Sequence, residues 1–505
     1  MPITYTIAID RNDDGDYSDL SEAIQADVLS VRWRLGLDKR YDTLAAPSSA
    51  EITVRNRTGT YSPERNSLVP AKRVRIQSND GTTTRTHFIG AIERIEPLAG
   101  EYSRQTAVIH VVGREVEVAE NRVRLLPMID VTADEVVNAI FDRLTLRYAV
   151  LENYCILDRS GHNVINSTTI FPADAVTRNF DTGKSTFAYV GDNWSTGIAA
   201  DIALREVLDS EGGRFFFKRD GEAIFYNRHH LFTTLSTQAT FTDDMDGLDY
   251  VYGADRITQV DVRLRPRSIG VANSLLWSLA QAIKIKRGAT RTLITRYEVD
   301  SEPVGLLSTL TVNHTALITQ LVGGVDVSDS VQVVVMDAGF SAATIEVRNH
   351  AASDIYLHTL NLYGTPLLTG DILTLSESDA LAQSLYGVRV LEVDLPTLTD
   401  VEEAAAIATY ELQRRSSPRG LITELQTSTR THPTETLSLT LFDRIKIVEA
   451  QSGHSGFYRI VSETHTVDKG GSRHRVAWLA EPDDSEIFFV IDTHDVDGDE
   501  VLLPR

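Results

Sequence analysis

The chain is poor in cysteine, in positive charge and in long apolar runs. Of its 505 residues one is cysteine, Cys155, which excludes an intrachain disulfide framework and any multi-cysteine zinc site. Lysine and arginine total 49 against 71 aspartate and glutamate, a formal net charge of −22. That balance excludes a nucleic-acid binder working by blanket neutralisation of phosphates. No apolar stretch approaches the ~18 residues of a membrane span, so no membrane segment is expected. Asp10, Asp13, Asp14 and Asp16 follow too soon after the start for an apolar signal core. Synthesis in a reducing cytoplasm is expected, and the single cysteine agrees with it.

The remaining composition is that of a globular protein, 42% hydrophobic and 24% charged, with room for three or four domains of ~150 residues each. The acid is unevenly spread. Residues 1–125 hold 17 basic and 18 acidic groups, and residues 30–124 hold 16 against 11. The N-terminal part is thus a different electrostatic object from the rest, which implies separate surfaces for separate partners.

The first 120 residues alternate polar and apolar at period two. Glu51–Asn56, Val74–Gln77 and Val108–Val111 read as strands, as does Phe88–Ile95, while Asn79-Asp80-Gly81 and Leu98-Ala99-Gly100 read as turns. A small barrel or sandwich is expected. Near Pro127 the pattern changes. Thr132-Ala133-Asp134-Glu135 is a capping box ahead of Val136, Val137, Ile140, Phe141 and Leu144. A second helix is expected after Trp194-Ser195-Thr196, with Ile198, Ala199, Ile202 and Ala203 inward and a stop at Gly212-Gly213. A hairpin over 215–226 turns at Asp220-Gly221. Strands return from Phe241, a Thr/Val-rich stretch over about 270–380 resembles an immunoglobulin-like sandwich, and a capping box at Thr399–Glu402 opens a further helix. Strands over 444–448, 457–467 and 474–479 follow, and the Asp-rich end reads as a loosely held arm.

Motifs that carry chemistry are incomplete. Gly183-Lys184-Ser185 ends like a phosphate-binding loop, but Arg178 stands where its first glycine belongs, so a polar turn is expected. Gly453-His454-Ser455-Gly456-Phe457 has Phe457 in place of the last glycine of a nucleophile elbow and reads as a hairpin loop. His229-His230 is expected at a strand end, where neighbours point to opposite faces and cannot chelate one metal simply. Asp10, Asn12 and Asp14, followed by Gly15, copy the first half of a calcium loop, but Ser21 occupies the closing position and Glu22 comes one residue late. This is a calcium candidate beside the plainer reading of a solvated turn; Asp495, Asp497 and Asp499 echo it weakly. No catalytic or cofactor-binding residues are nominated.

The segment Ala50-Glu51-Ile52-Thr53-Val54-Arg55-Asn56-Arg57-Thr58-Gly59-Thr60-Tyr61-Ser62-Pro63-Glu64 resembles a signature of minor tail and tail-hub proteins of tailed bacteriophages. Phe88-Ile89-Gly90 with Ile92 and Pro97 is similar to their barrel strand, and Gly212-Gly213-Arg214-Phe215 with Asp220-Gly221 to their middle domain. Phe442–Ile447, Gly456–Val461 and His474–Trp478 look like their second barrel.

The resemblance implies a mainly β chain with α+β portions. Its parts would be a first tube-like β-barrel at 1–120, an α+β outer domain at 121–234, and a second barrel split between 235–268 and 385–480. A β-sandwich insertion at 269–384 and an acidic C-terminal arm at 481–505 complete it. It also implies a non-enzymatic homotrimer at the virion tail tip, assembled in the host cytoplasm, whose six barrels adapt a sixfold tube to a threefold tip. Its expected partners are a tail-tube or distal-tail ring, a tape-measure protein, tail-tip or fibre proteins, and DNA in passage. An acidic channel lining would let DNA slide, and the basic excess of 30–124, Arg73 and Arg75 included, is expected at contacts with acidic neighbours. Two other classes fit the sequence: a secreted or virion-associated carbohydrate-binding adhesive β-protein, and a tail-associated cell-wall hydrolase.

Overall fold

The computed structural model describes residues 3–486, 488–489 and 501–502, apart from 14, 20, 67, 99–104, 126, 145–154, 158–162, 166–175, 192–193, 195–196 and 320–322. Asp14, Ala99, Gly100, Ser195, Thr196, Asp495, Asp497 and Asp499 therefore lie outside the described residues.

The chain is mainly β, and its centre is one sheet of twelve strands. The N-terminal six are β1 (Thr4–Ile9), β2 (Val28–Gly36), β3 (Ser49–Arg55), β4 (Arg73–Asn79), β5 (Thr84–Pro97) and β6 (Thr106–Val112). The other six are β7 (Thr237–Phe241), β8 (Gly247–Tyr252), β9 (Gly420–Ser428), β10 (Arg444–Glu449), β11 (His454–Asp468) and β12 (Arg473–Pro482). Period-two patterning drives them. In β3, Ala50, Ile52 and Val54 are buried while Ser49, Glu51 and Arg55 are exposed.

The two sets of six share one strand order, although β1 runs antiparallel to β4 while β7 runs parallel to β10. The first runs β1-β4-β5-β6-β3-β2 across the sheet, and the second runs β7-β10-β11-β12-β9-β8. Taken strand by strand in chain order, both read 1-4-5-6-3-2. Local detail repeats as well. Arg73 opposes Ala91 and Arg444 opposes Arg459. One residue further on, Ile92 and Ile460 each precede a bulge against β6 and β12. Ala71 and Phe442, both at positive φ (+73° and +66°), donate their N–H groups to the carbonyls of those isoleucines at 2.7 and 2.6 Å. Duplicated strand order with duplicated irregularities is a property of repeats rather than of chance packing.

The two expected barrels do not form as closed objects. β2 does not return to β1; it pairs antiparallel with β11 of the other repeat, from Ser30 opposite Asp468 to Gly36 opposite Ser462. The long strand β11 holds β10 with its first half and β2 with its second. The edge of β2 that would close the first barrel is spent on the neighbouring repeat, and the product is an open sheet.

Three further units attach to it. Helices α1 (Ala133–Phe141) and α2 (Ala200–Glu211) share a core with the hairpin strands Arg214–Phe217 and Ala223–Tyr226. The capping box at Thr132 and Glu135 is present, and Gly212, at φ +69°, ends α2. The inward face of α2 differs from the expectation. Ala200, Ala203, Leu204, Val207 and Leu208 are buried, Ile202 faces out, and Ile198–Ala199 is a short strand. That strand pairs with Arg122–Val123 and sets the start of the helix two residues later.

The described residues of 274–364 include a four-stranded and a three-stranded sheet around one core that includes Leu276, Leu357, Leu360, Ile345 and Val347. Strands Gln259–Leu264 and Val390–Leu395, expected in the second barrel, instead pair with each other in a separate sheet, with Leu373–Ser378 on the other edge of Gln259–Leu264. This small sheet packs on α3 (Val401–Arg415) through Val260, Val262, Ala404 and Ala408. The cap of α3 is Asp400, accepting from the N–H groups of Glu402 and Glu403, one residue later than the expected box. The C-terminal segment is anchored where it leaves the sheet. Asp484 pairs with Arg414 at 3.1 Å and Arg419 at 2.6 Å, and Phe488 is buried against Phe232 and Tyr410. Its first residues are thus held by ion pairs that an acid-rich sequence does not reveal without its arginine partners.

Candidate assembly surface

The seam between β2 and β11 carries a buried polar cluster. Trp33 of β2 lies opposite His465 of β11, and both are buried. His474 of β12 and His87 of β5 complete the cluster, each fully buried. His465 Nδ1 is 2.9 Å from His474 Nε2, and His474 Nδ1 is 2.8 Å from the Tyr5 hydroxyl of β1. His87 Nε2 contacts Ser78 Oγ at 2.7 Å. Burial pushes the imidazoles of His87 and His474 well below the ordinary value, and the positive charge of Arg219 adds to it. Burial also lowers His465, against an opposing hydrogen bond to Glu463. All three rings are therefore neutral at pH 7.

One outer module locks onto this seam. Arg219, at the tip of the Arg214–Tyr226 hairpin, donates to Glu463 of β11 through Nε (2.7 Å) and Nη2 (2.6 Å). It also donates to the carbonyl oxygens of Leu437 (2.9 Å) and Leu439 (2.5 Å). Burial alone would raise the Glu463 carboxyl, but Arg219 and His465 outweigh it and hold it at about 2. The sequence offered Asp220-Gly221 as a turn but gave no sign that the arginine beside it is a buried clamp.

The opposite, solvent-facing side of the sheet is a single surface running across both repeats. Register places Arg94, His110, Glu51, Arg32, Thr466 and Arg475 in one row over β5, β6, β3, β2, β11 and β12. Arg94, Glu51, Arg32 and Arg475 are exposed. The face mixes signs, with Glu51 between His110 and Arg32. Arg73 is buried, 7% exposed, and Arg75 stacks 4.2 Å over the Tyr17 ring. Arg73 thus belongs to the fold's interior and not to a contact with an acidic neighbour.

The other sequence candidates resolve into local structure. The backbone N–H groups of Lys184 (3.0 and 3.1 Å) and Ser185 (2.7 Å) converge on the carboxylate of Glu211. The nest that a phosphate would need is filled by the protein's own anion. His230 sits in the short helix His230–Thr233, beyond the expected strand end, which comes at Tyr226. Its ring stacks on Tyr226 at 3.5 Å and its Nδ1 meets Asp181 at 2.7 Å. Gly453 turns the hairpin between β10 and β11. In the acidic turn, Asp10 is buried and accepts from the Gly15 N–H at 3.1 Å, and Asn12 donates to Asp19 at 3.1 Å. Glu22 accepts from the N–H groups of Arg11 and Asp19. Among the described residues no group of three or more His, Cys, Asp or Glu could hold a metal ion, and no helix is long and apolar enough to cross a membrane.

The solved structures to which the chain is similar include tail proteins. The 43 kDa tail protein of prophage MuSo2 from Shewanella oneidensis aligns with 9% identity and a TM-score of 0.49, covering 96% of this chain and 99% of that one. A tail protein from Neisseria meningitidis aligns with 7% identity and a TM-score of 0.49, covering 95% and 97%. Prophage tail protein gp18 from Listeria monocytogenes follows at 8% and 0.42, covering 96% of each chain. No protein-family model and no curated protein matches the chain. Likenesses below a TM-score of 0.5 carry no assignment by themselves.

Proposed function

We propose that this chain is a structural hub of a phage tail tip: a homotrimer whose six sheet repeats form a ring around the DNA exit channel. The duplicated 1-4-5-6-3-2 motif carries the reading. A chain with two near-equivalent repeats, taken three times, presents six similar units on a threefold body, which is what joining a sixfold tube to a threefold tip requires. The sequence signature at 50–64 supports it independently.

In this arrangement the row from Arg94 to Arg475 faces the channel. Its three arginines are separated by His110, Glu51 and Thr466, so passing DNA meets no continuous basic track that would hold it. The outer modules face the tail-tube ring, the tape-measure protein and the tip or fibre proteins, and the hub sits in the virion after assembly in the host cytoplasm. No catalytic step and no resident cofactor belongs to the reading. For the Asp10–Asn12–Asp14 turn, melting the protein with and without calcium decides between a cation site and a turn closed by its own hydrogen bonds.

Mass measurement on the purified chain tests the hub. A trimer whose negative-stain images show a six-lobed ring is the expected result, and a monomer at tens of micromolar overturns it.

A further inference from the structure

At the start of β12 the sheet opens into a cleft of about 640 Å³, within the ~300–1,000 Å³ range of ligand sites. Strand alternation builds one wall. Arg473 and Arg475 are exposed on the solvent-facing side, and His474 between them turns into the buried seam. Gly470 and Gly471, at φ +66° and +92°, turn the chain into that strand. The other wall comes from the end of β9. Ser428 lies opposite Arg475, and the Thr429 N–H donates to the His474 carbonyl at 3.0 Å. Arg430 is thereby brought to the same cleft.

Charge sets the cleft apart from the rest of the chain. Three arginines and the hydroxyls of Ser428, Thr429 and Ser472 line it against a single carboxylate, Asp246, in a protein with 71 acidic and 49 basic residues. Arginines that hold the fold are closely paired: Arg219 with Glu463 at 2.6 Å, Arg419 with Asp484 at 2.6 Å. Among the described residues, the guanidinium groups of Arg430 and Arg473 have no such hydrogen bond or ion pair. The carboxylate nearest Arg475 among them is Asp468, at 3.8 Å, beyond hydrogen-bonding distance. Like charges gathered this way repel one another, and an anion seated between them removes that cost.

We propose that the cleft binds an oxyanion of the phosphate class, and that in the tail it takes a backbone phosphate of DNA. Guanidinium forks donate in pairs to phosphate oxygens. Serine and threonine hydroxyls complete the shell without reading base sequence. The oxyanion site stands on this geometry; DNA as the source of the phosphate rests on the hub reading, which turns the side bearing Arg475 to the channel. Elsewhere on that side the arginines are set apart, so DNA is gripped at one point and slides past the others.

Anisotropy of a labelled short DNA duplex at low salt tests it. The net charge of −22 suppresses incidental binding. Wild type should bind the duplex, lose it as salt rises, and release it to inorganic pyrophosphate. Arg430→Gln, Arg473→Gln and Arg475→Gln together should weaken binding about tenfold or more, with melting temperature unchanged because all three are exposed. Arg291→Gln, exposed on the sandwich, should bind as wild type does. Labelled poly-glutamate should stay free. Poly-glutamate bound as tightly as the duplex, or in its place, assigns the cleft to an acidic protein and overturns the phosphate. Equal duplex binding by wild type and the triple variant overturns the cleft. A trimer by mass that binds no duplex overturns the proposal and leaves the hub standing. A monomer that binds duplex through these arginines overturns the hub and leaves the oxyanion cleft standing.

Discussion

The imidazole of His465 lies flat on the indole of Trp33, ring centroids 4.8 Å apart and planes within 5°. The two residues face each other across the strand pair that joins the repeats. His474 and His87 lie within 6 Å of the same indole, so the joint between the repeats is an aromatic and imidazole core with every ring held neutral.

That core makes stability fall in mild acid. Burial depresses His87, His465 and His474, so the unfolded chain binds more protons than the folded one below the ordinary value of about 6.5. The stabilisation is complete above that pH and is lost as pH falls towards the depressed folded values. Each ring contributes at most about 1.4 kcal/mol per pH unit in that window. Melting temperature should be flat from pH 8 to 7 and drop steadily from 6.5 to 5. Replacing His87 with glutamine should make the drop shallower.

Trp33→Ala should cost about 3–5 kcal/mol, since a fully buried indole leaves a cavity that the strands around it cannot collapse into. Denaturant titration reads this, and a loss under 1 kcal/mol would show that the seam tolerates repacking.

Arg219→Met should cost about 3–5 kcal/mol by leaving Glu463 charged and unpaired in the interior. Arg219→Met with Glu463→Leu should recover a large part of it, because no buried charge is then stranded. The comparison is a double-mutant cycle in urea.

Ala71→Gly should raise stability by up to about 1 kcal/mol, as Ala71 holds φ +73°. Phe442→Gly relieves the same backbone but removes a ring packed 4.7 Å from Phe216, so it should destabilise. Opposite signs at equivalent places in the two repeats, measured by chemical denaturation, are the expected outcome.

Nucleotide should not bind at Gly183-Lys184-Ser185. Calorimetric titration with ATP and magnesium should give no heat of binding, because Glu211 already accepts from Lys184 and Ser185.

Local chemistry was readable in the sequence where one element settles it. The Thr132–Glu135 box, the stop at Gly212, the hairpin turn at Asp220-Gly221 and the period-two strands of both repeats each follow from a few neighbouring residues. The inward face of α2 was misread because pairing of Ile198 with Val123 shifts the helix start. The assembly surface was not readable, since Arg219 beside Glu463, or Trp33 beside His465, has no signature at such separations. The repeat left only a faint trace, Arg73-Val74-Arg75-Ile76 against Arg444-Ile445-Lys446-Ile447. What it preserves is strand order and backbone conformation, and many side-chain choices satisfy both.

The β2–β11 pairing also sets an order of events during synthesis. Ser462 bonds to the carbonyl of Leu35 from 427 residues away, so the edge of β2 stays bare until nearly the whole chain has left the ribosome. Contacts this distant form late and slowly. A truncated or stalled product keeps an open strand that can capture other chains, whereas a finished chain covers that edge itself. Chain completion thereby removes the edge a fragment would leave open.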